Sequence, residues 1–345
     1  MLKLTVGFSR NPRVEPLVDG TVKPQNIDLQ FVLHPIAELF YRNLKFDEFD
    51  VSEMSLSAYL NVIERRDGSK WQWSGLPVFP SRAFHVWQDL FVNTDAKINH
   101  PRDLKGKRIG VPDYLVTAVV WMRIMLKELY GIKAEDNVWY LGRTKEFSHA
   151  AMFGLDQNPP PGVAIHWLTE EQSLDVMLAS GELDAAYGFA PRLDPALRDF
   201  RRIDRYGGTP ISGNPRIQKF LPDQGRQIIS EYCQRTGILP ANHFMFVQNR
   251  ILEQHPWVAL ELYKAFQRAK EVAYERARRS RSTYLFFEGD DYKNQIETFG
   301  ADPYPFGVKE NQKMLEILFR SYHEERLTEK LAHVEELFYR TTLDT

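Results

Sequence analysis

The chain has 345 residues, a formal net charge of -2 at neutral pH and 43% hydrophobic residues. This length exceeds what one hydrophobic core usually organises, so two domains are expected. The charge is spread without long runs of one sign, which argues against a protein that tracks a nucleic-acid backbone or an anionic membrane surface. Cys233 is the one cysteine, which excludes an internal disulfide framework and a metal site built from cysteines.

The N-terminal residues predict a strand. Met1 to Phe8 alternate in the manner of a strand, with neither a basic segment nor a long apolar stretch before them. No window contains the about 18 consecutive apolar residues of a transmembrane helix. The sequence therefore predicts a cytoplasmic protein, although a secretion signal removed upstream would leave the same start.

Strand and helix patterns alternate along most of the chain. Strands are predicted at 1–8, 27–33, 49–57, 106–111, 138–141 and 163–167, extended segments at 76–84 and 89–93, and helices at 35–44, 58–65, 117–130, 173–180, 256–279 and 309–324. This alternation favours an α/β fold with mainly parallel sheets covered by helices.

One strand-turn-helix unit stands out near the middle of the chain. The strand that ends at Val111 breaks at Pro112 and leads into an amphipathic helix. The N–H groups at the start of that helix and the Thr117 hydroxyl would form an anion site beyond the end of the strand. The alternative is an ordinary βα unit with a well-capped helix.

Polar side chains follow several apolar strands. They are Arg10 and Arg13 after the first strand, Glu53, Ser55 and Ser57 after the third, Ser81 and Arg82 after an apolar run, and the residues from Tyr114 to Thr117 before the central helix. Such positions converge on one crevice in an open α/β protein. An arginine binds a carboxylate through two parallel hydrogen bonds, so two arginines suit a dicarboxylate. Taken singly, each arginine is also compatible with a structural salt bridge.

The histidines offer one candidate for proton transfer. His243 lies where a loop feeds a short apolar strand, and imidazole titrates near neutral pH. A structural histidine fits the same spacing. His85 and Asp89 are four residues apart, but two ligands are too few for a metal site. The sequence contains no phosphate-binding glycine loop, no Ser-His-Asp signature and no nicotinamide fingerprint.

Four segments together resemble the 4,5-dihydroxyphthalate decarboxylase family: 49–59, 75–84, 103–118 and 255–258. The resemblance spans nearly the whole chain. It implies a two-lobed type II periplasmic-binding-protein-like fold with a ligand cleft between the lobes. In this reading residues 1–93 and 211–345 form one lobe and residues 94–210 the other.

The resemblance also implies an activity, the non-oxidative decarboxylation of a hydroxylated aromatic dicarboxylate, with 4,5-dihydroxyphthalate going to protocatechuate as the reference reaction. In this scheme His243 transfers the proton, with Glu53 as the alternative acid–base group, and no organic cofactor is required. No metal site is predicted, and assistance by a metal stays open. The expected substrate-binding residues are Arg82, Arg13, Ser81, Ser55, Tyr114, Thr117 and His85.

The expected partner is a small aromatic carboxylate substrate, and neither nucleic acid nor a membrane is expected as a partner. Whether the chain forms a homo-oligomer is left open by the sequence. The alternative is a solute-binding protein of the ABC-transporter type for an aromatic carboxylate. It would share the fold and the arginines but would need no proton donor.

Overall fold

The computed structural model describes residues 1–188, 207–223, 225–280 and 288–345. By internal contacts the chain divides into two units. The first unit comprises Met1–Arg82, Cys233–Phe319 and Leu331–Thr345, and the second comprises Ala83–Tyr232 and Arg320–Lys330.

Strands and helices alternate through most of the described chain. The strands are β1 Leu2–Phe8, β2 Ile27–Leu33, β3 Val51–Ser55, β4 Trp73–Arg82, β5 Leu90–Asn93, β6 Arg108–Val111, β7 Val138–Leu141, β8 Ala164–Trp167, β9 Ala185–Tyr187, β10 Ile217–Lys219 and β11 Ala241–Gln248. The helices are α1 Glu15–Val18, α2 Ile36–Phe46, α3 Leu56–Glu64, α4 His85–Gln88, α5 Thr117–Tyr130, α6 His149–Met152, α7 Leu174–Ser180, α8 Arg226–Thr236, α9 Asn249–Gln254, α10 Val258–Ser280, α11 Glu288–Phe299, α12 Val308–Glu324 and α13 Val334–Leu337.

The first unit contains a five-stranded sheet in the order β2-β1-β3-β11-β4. Strand β1 pairs parallel with β2 and β3, whereas β11 pairs antiparallel with β3 and β4. Strand β3 lies in the middle and all five of its residues are buried. Its serines and its glutamate therefore need hydrogen-bond partners within the protein.

The second unit contains a six-stranded sheet in the order β10-β5-β9-β6-β7-β8. Strands β9, β6, β7 and β8 run parallel, and β5 is antiparallel to both of its neighbours. Among the described residues, each sheet is therefore mainly parallel, with one strand, β11 or β5, that runs against the others. In the first unit the antiparallel strand β11 belongs to the returning chain, which no local pattern reveals.

The boundaries of the units differ from those predicted at residues 93 and 210. The first crossing lies between Arg82 and Ala83, and the chain returns at Cys233. The shift arises because β5 pairs with β9 and β10, so it joins the second sheet. Residues 320–330, near the end of α12, also belong to the second unit.

Helix α5 follows β6 and is buried over most of its length, including Thr117 through Leu126. It ends at Gly131, which has a φ of 69° and accepts the left-handed conformation without a side-chain clash. Among the described residues, no helix is both long enough and apolar enough to cross a membrane.

Candidate active site

The carboxyl ends of β3 and β4 and the start of β11 lie at one edge of the first sheet. Because β11 is antiparallel to both neighbours, His243 near its start is paired with Ser55 at the end of β3 and with Ser81 near the end of β4. Directly opposed residues on antiparallel strands are about 4.5–5.5 Å apart. Three residues proposed from separate parts of the sequence therefore meet here.

A buried carboxylate–imidazole pair lies at this edge. His243 Nδ1 is 2.7 Å from Glu53 Oε1. The other carboxylate oxygen of Glu53 accepts hydrogen bonds from Ser9, at 2.6 Å from the hydroxyl and 3.1 Å from the backbone N–H. Glu53 is fully buried and His243 is 5% exposed. The pair is thus shielded from bulk water, which strengthens its electrostatic coupling.

The partners of Glu53 keep it ionised. Burial alone raises the pKa of Glu53, but the hydrogen bond and charge of His243 and the hydrogen bonds from Ser9 outweigh it, so the pKa lies below its ordinary value of 4.5. The carboxylate therefore accepts a hydrogen bond from His243 Nδ1. This leaves Nε2 as the ring nitrogen that is not bound to Glu53.

Asn242 contacts that second nitrogen. Its Nδ2 lies 2.9 Å from His243 Nε2, and among the described residues its Oδ1 has no hydrogen-bond partner although it is buried. The amide NH₂ donates to a neutral imidazole, and the amide oxygen would accept from a protonated one. Phe40 packs edge-on against the imidazole, with centroids 4.9 Å apart and an interplanar angle of 86°. The ring is held in place while both protonation states can be satisfied.

The hydroxyls of the two serines paired with His243 differ in their hydrogen bonds. Ser55 caps α3, where its hydroxyl accepts from the Ala58 N–H at 3.4 Å and lies 3.2 Å from the Ser57 hydroxyl. The Ser81 hydroxyl is buried and has no hydrogen-bond partner in the described part of the chain. Ser81 is therefore the serine whose hydroxyl remains available to a ligand.

Arg13 is held beside the same edge by β4. Its Nε donates to the Pro80 carbonyl at 2.8 Å, and Asn11 donates to that carbonyl at 3.0 Å. The guanidinium carbon lies 3.6 Å from the centroid of the Tyr304 ring, within the range of a cation–π contact. In the described residues, the two terminal nitrogens of Arg13 form no hydrogen bond or ion pair.

Arg82 has partners different from those predicted. Its guanidinium donates to the carbonyls of Leu239 at 2.9 Å, Pro303 at 3.2 Å and Pro305 at 2.8 Å, and to Asn311 Oδ1 at 3.3 Å. The side chain fastens β4 to loops of its own unit. Because these groups occupy the donors that a carboxylate would need, the geometry gives Arg82 a structural role.

Tyr114 and Thr117 lie in the second unit, with exposures of 0% and 1%. The Tyr114 ring packs against the guanidinium of Arg123, 3.8 Å from its centroid, and Arg123 also bonds the Tyr114 carbonyl and Glu325. Burial raises the pKa of Tyr114. The Tyr114 hydroxyl is buried and has no hydrogen-bond partner among the described residues. Ligand contact by Tyr114 or Thr117 stays a prediction.

His85 begins the short helix α4 in the second unit and is half-buried. Its ring lies 5.9 Å from the ring of Tyr187. Burial raises the pKa of the nearby Asp89. Within the described ranges, no group of three or more histidine, cysteine, aspartate or glutamate side chains is placed to hold a metal ion.

Three residues of this site, Ser9, Asn242 and Tyr304, were not among those predicted from the sequence. Ser9 directly follows β1 and Asn242 precedes His243, so their positions at strand ends were a usable signal. Tyr304 lies in a proline-rich segment more than two hundred residues from Arg13. No local pattern could connect these two residues.

No protein-family model matches the chain. A 4,5-dihydroxyphthalate decarboxylase of Comamonas testosteroni is 33% identical over 346 aligned residues, which cover 100% of this chain and 98% of that protein. A protein of the same name from Pseudomonas putida is 38% identical over 187 residues, covering 54% of this chain and 70% of that protein.

Solved structures give the fold. The periplasmic aliphatic sulphonate binding protein of Escherichia coli aligns over 100% of both chains with a TM-score of 0.53 and 11% identity. A ligand-binding component of an ABC-type import system from Staphylococcus aureus aligns over 100% of this chain and 98% of its own, with a TM-score of 0.50 and 10% identity. The predicted periplasmic-binding-protein-like α/β fold is confirmed, and the full-length relative shows that the chain belongs to the 4,5-dihydroxyphthalate decarboxylase family.

Proposed function

We propose that the protein is a non-oxidative decarboxylase that converts 4,5-dihydroxyphthalate to protocatechuate and CO₂ in the cytoplasm. The chain aligns over its full length with a protein named 4,5-dihydroxyphthalate decarboxylase. The observation that carries the proposal is the buried Glu53–His243 pair, with Nδ1 and Oε1 2.7 Å apart. A protein that only binds a carboxylate needs no such proton-transfer pair.

The reaction replaces one ring carboxylate with a proton. Each carboxylate of the symmetric substrate is para to a hydroxyl, which pushes electron density to the carbon that carries the carboxylate. A proton adds to that carbon, its bond to the carboxylate breaks, and the electron pair of this bond restores the aromatic ring as CO₂ leaves. The protein must therefore supply a proton donor, an anchor for the retained carboxylate and a fixed orientation.

His243 is the proposed donor, acting through Nε2. Glu53 accepts a hydrogen bond from Nδ1, which fixes the ring and stabilises the imidazolium before the proton is transferred. Asn242, 2.9 Å from Nε2, holds the nitrogen between turnovers and moves aside or rotates when the substrate enters. In this assignment Glu53 is a positioning residue, not the alternative donor.

Arg13 and Ser81 are the proposed substrate contacts. The terminal nitrogens of Arg13 suit the retained carboxylate, and the buried Ser81 hydroxyl, which lacks a partner among the described residues, suits a ring hydroxyl or a carboxylate oxygen. Ser55 stays in the proposal as a neighbour of His243 on β3. No substrate contact is proposed for Arg82, Tyr114, Thr117 or His85.

The test is incubation of the purified protein with 4,5-dihydroxyphthalate while CO₂ and protocatechuate are quantified. The proposal predicts one CO₂ for each protocatechuate formed. Phthalate, which lacks the hydroxyls that activate the ring, should bind without losing CO₂. Binding of 4,5-dihydroxyphthalate without CO₂ release would instead support a solute-binding protein.

A further inference from the structure

Arg13 is held so that one part of its guanidinium stays available. Its Nε is bound to the Pro80 carbonyl at 2.8 Å, and one face rests on the Tyr304 ring at 3.6 Å. The two terminal nitrogens have no hydrogen bond or ion pair in the described chain. A guanidinium fixed in this way loses little further freedom when it binds a carboxylate through both nitrogens.

Tyr304 is itself fixed by a short segment, residues 302–307. Lys270 donates to the Tyr304 carbonyl at 2.9 Å, and Asp302 accepts from the Tyr304 N–H at 3.0 Å. Arg82 binds the carbonyls on either side of Tyr304, those of Pro303 and Pro305. The backbone around Tyr304 is therefore clamped by charged side chains, and its ring lies against the guanidinium of Arg13.

The two cations that hold this segment are themselves buried. Burial lowers the pKa of Arg82 to about 10, against the attraction of Asp302. Lys270 is paired with Asp302 at 2.6 Å, and burial lowers the pKa of Lys270 as well. Both cations are therefore engaged within the segment, whereas the terminal nitrogens of Arg13 have no partner among the described residues.

The segment lies close to the proton-transfer pair along β4. The Pro80 carbonyl that holds Arg13 precedes Ser81, which is paired with His243 across the sheet. Neighbouring strands of a sheet lie about 4.7–4.9 Å apart. Arg13 is therefore anchored to the residue of β4 that precedes the partner of His243.

We infer that Tyr304, clamped within residues 302–307, is a specificity-determining residue that orients Arg13 to bind the carboxylate retained by the substrate. The inference rests on the proposed function for the identity of that carboxylate. Tyr304 acts through its ring face rather than its hydroxyl. The clamp by Arg82 and Lys270 gives both residues a positioning role.

The test is calorimetric titration of phthalate, together with steady-state kinetics on 4,5-dihydroxyphthalate. Tyr304→Ala should weaken phthalate binding about 3–10-fold, the range expected for a lost cation–π contact. It should raise KM by a similar factor with little change in kcat. Tyr304→Phe keeps the ring and should stay within about twofold of the parent. Arg13→Lys should weaken binding at least about 10-fold, since an ammonium cannot form the paired contacts.

Arg340→Ala is the matched control, because Arg340 is an exposed arginine of the same unit. It should bind phthalate like the parent, and thermal melting should show every variant folded. Unchanged affinity in Tyr304→Ala or Arg13→Lys, equal loss in Tyr304→Ala and Tyr304→Phe, or no phthalate binding by the parent would overturn the inference. Arg13-dependent phthalate binding without CO₂ release from 4,5-dihydroxyphthalate would overturn the proposed function alone.

Discussion

One buried carboxylate lies in or just after a strand of each sheet, and the two differ in their hydrogen-bond partners. Glu53 in β3 and Asp113 just after β6 are both fully buried. Asp113 accepts from the N–H groups of Leu115 at 2.8 Å and Ala150 at 3.3 Å, and from the Ser148 hydroxyl at 2.6 Å. Glu53 accepts from Ser9 and is paired with the imidazole of His243.

This contrast shows that burial alone does not identify a functional carboxylate. Amides and hydroxyls do not titrate near neutral pH, so the contacts of Asp113 can hold a loop but cannot carry a proton. An imidazole nitrogen can both donate and accept a proton, so the pair of Glu53 and His243 can carry one. The two arginines differ in the same way. The guanidinium of Arg82 donates to backbone carbonyls, whereas the two terminal nitrogens of Arg13 have no partner in the described chain.

The largest expected difference is in turnover. Glu53→Gln should lower kcat at least about 100-fold, because the amide cannot stabilise the imidazolium or enforce its tautomer. Asp113→Asn should leave the kcat of the folded protein within a few-fold and lower the free energy of unfolding by about 1–3 kcal/mol. The measurement is kcat and urea unfolding on both variants. Equal losses of kcat would remove the distinction between the two carboxylates.

The next difference separates the two arginines by stability. Arg82→Lys should lower the free energy of unfolding by about 1.5–3 kcal/mol, since an ammonium cannot reach the same set of carbonyls and leaves some of them unpaired. Arg13→Lys should lower it by less, because Arg13 is half-buried and forms one hydrogen bond through its side chain. Urea unfolding at neutral pH measures both. If Arg82→Lys is the more stable of the two variants, the hydrogen bonds of Arg82 to these carbonyls do not stabilise the fold as proposed.

The smallest expected effect appears in acid. The pKa of Glu53 is lowered in the folded protein, so its stabilising contribution is complete above the ordinary pKa of 4.5 and is lost as pH falls through the folded value. The stability gap between the parent and Glu53→Gln should therefore shrink below about pH 5, by up to about 1.4 kcal/mol per pH unit. Urea unfolding at several acidic pH values checks this slope. A gap that widens in acid would mean that Glu53 is protonated in the folded protein.

Much of the site could be predicted because its residues lie at strand ends. Glu53 and Ser81 follow apolar stretches on separate strands, and His243 begins another. Alternation of side chains predicts such strands without knowledge of their neighbours. Their pairing could not be predicted, because it depends on β11 returning between β3 and β4 after an excursion through the second unit.

Arg82 shows why the remainder could not be predicted. A buried arginine inside an apolar run needs partners, and the sequence suggested a ligand carboxylate. The actual partners include carbonyls at Leu239, Pro303 and Pro305, far away in the chain. Every residue type has a backbone carbonyl, so the sequence does not show which carbonyls accept hydrogen bonds from Arg82.

The most direct test of the account is the His243→Ala variant, measured for both turnover of 4,5-dihydroxyphthalate and affinity for phthalate. Because protonation occurs only in the transition state, kcat should fall at least about 100-fold while the phthalate Kd stays within about threefold. His166→Ala, at an exposed histidine on β8, is the control and should match the parent in both. Turnover kept within a few-fold, or affinity lost in proportion to activity, would contradict a proton-transfer role for His243.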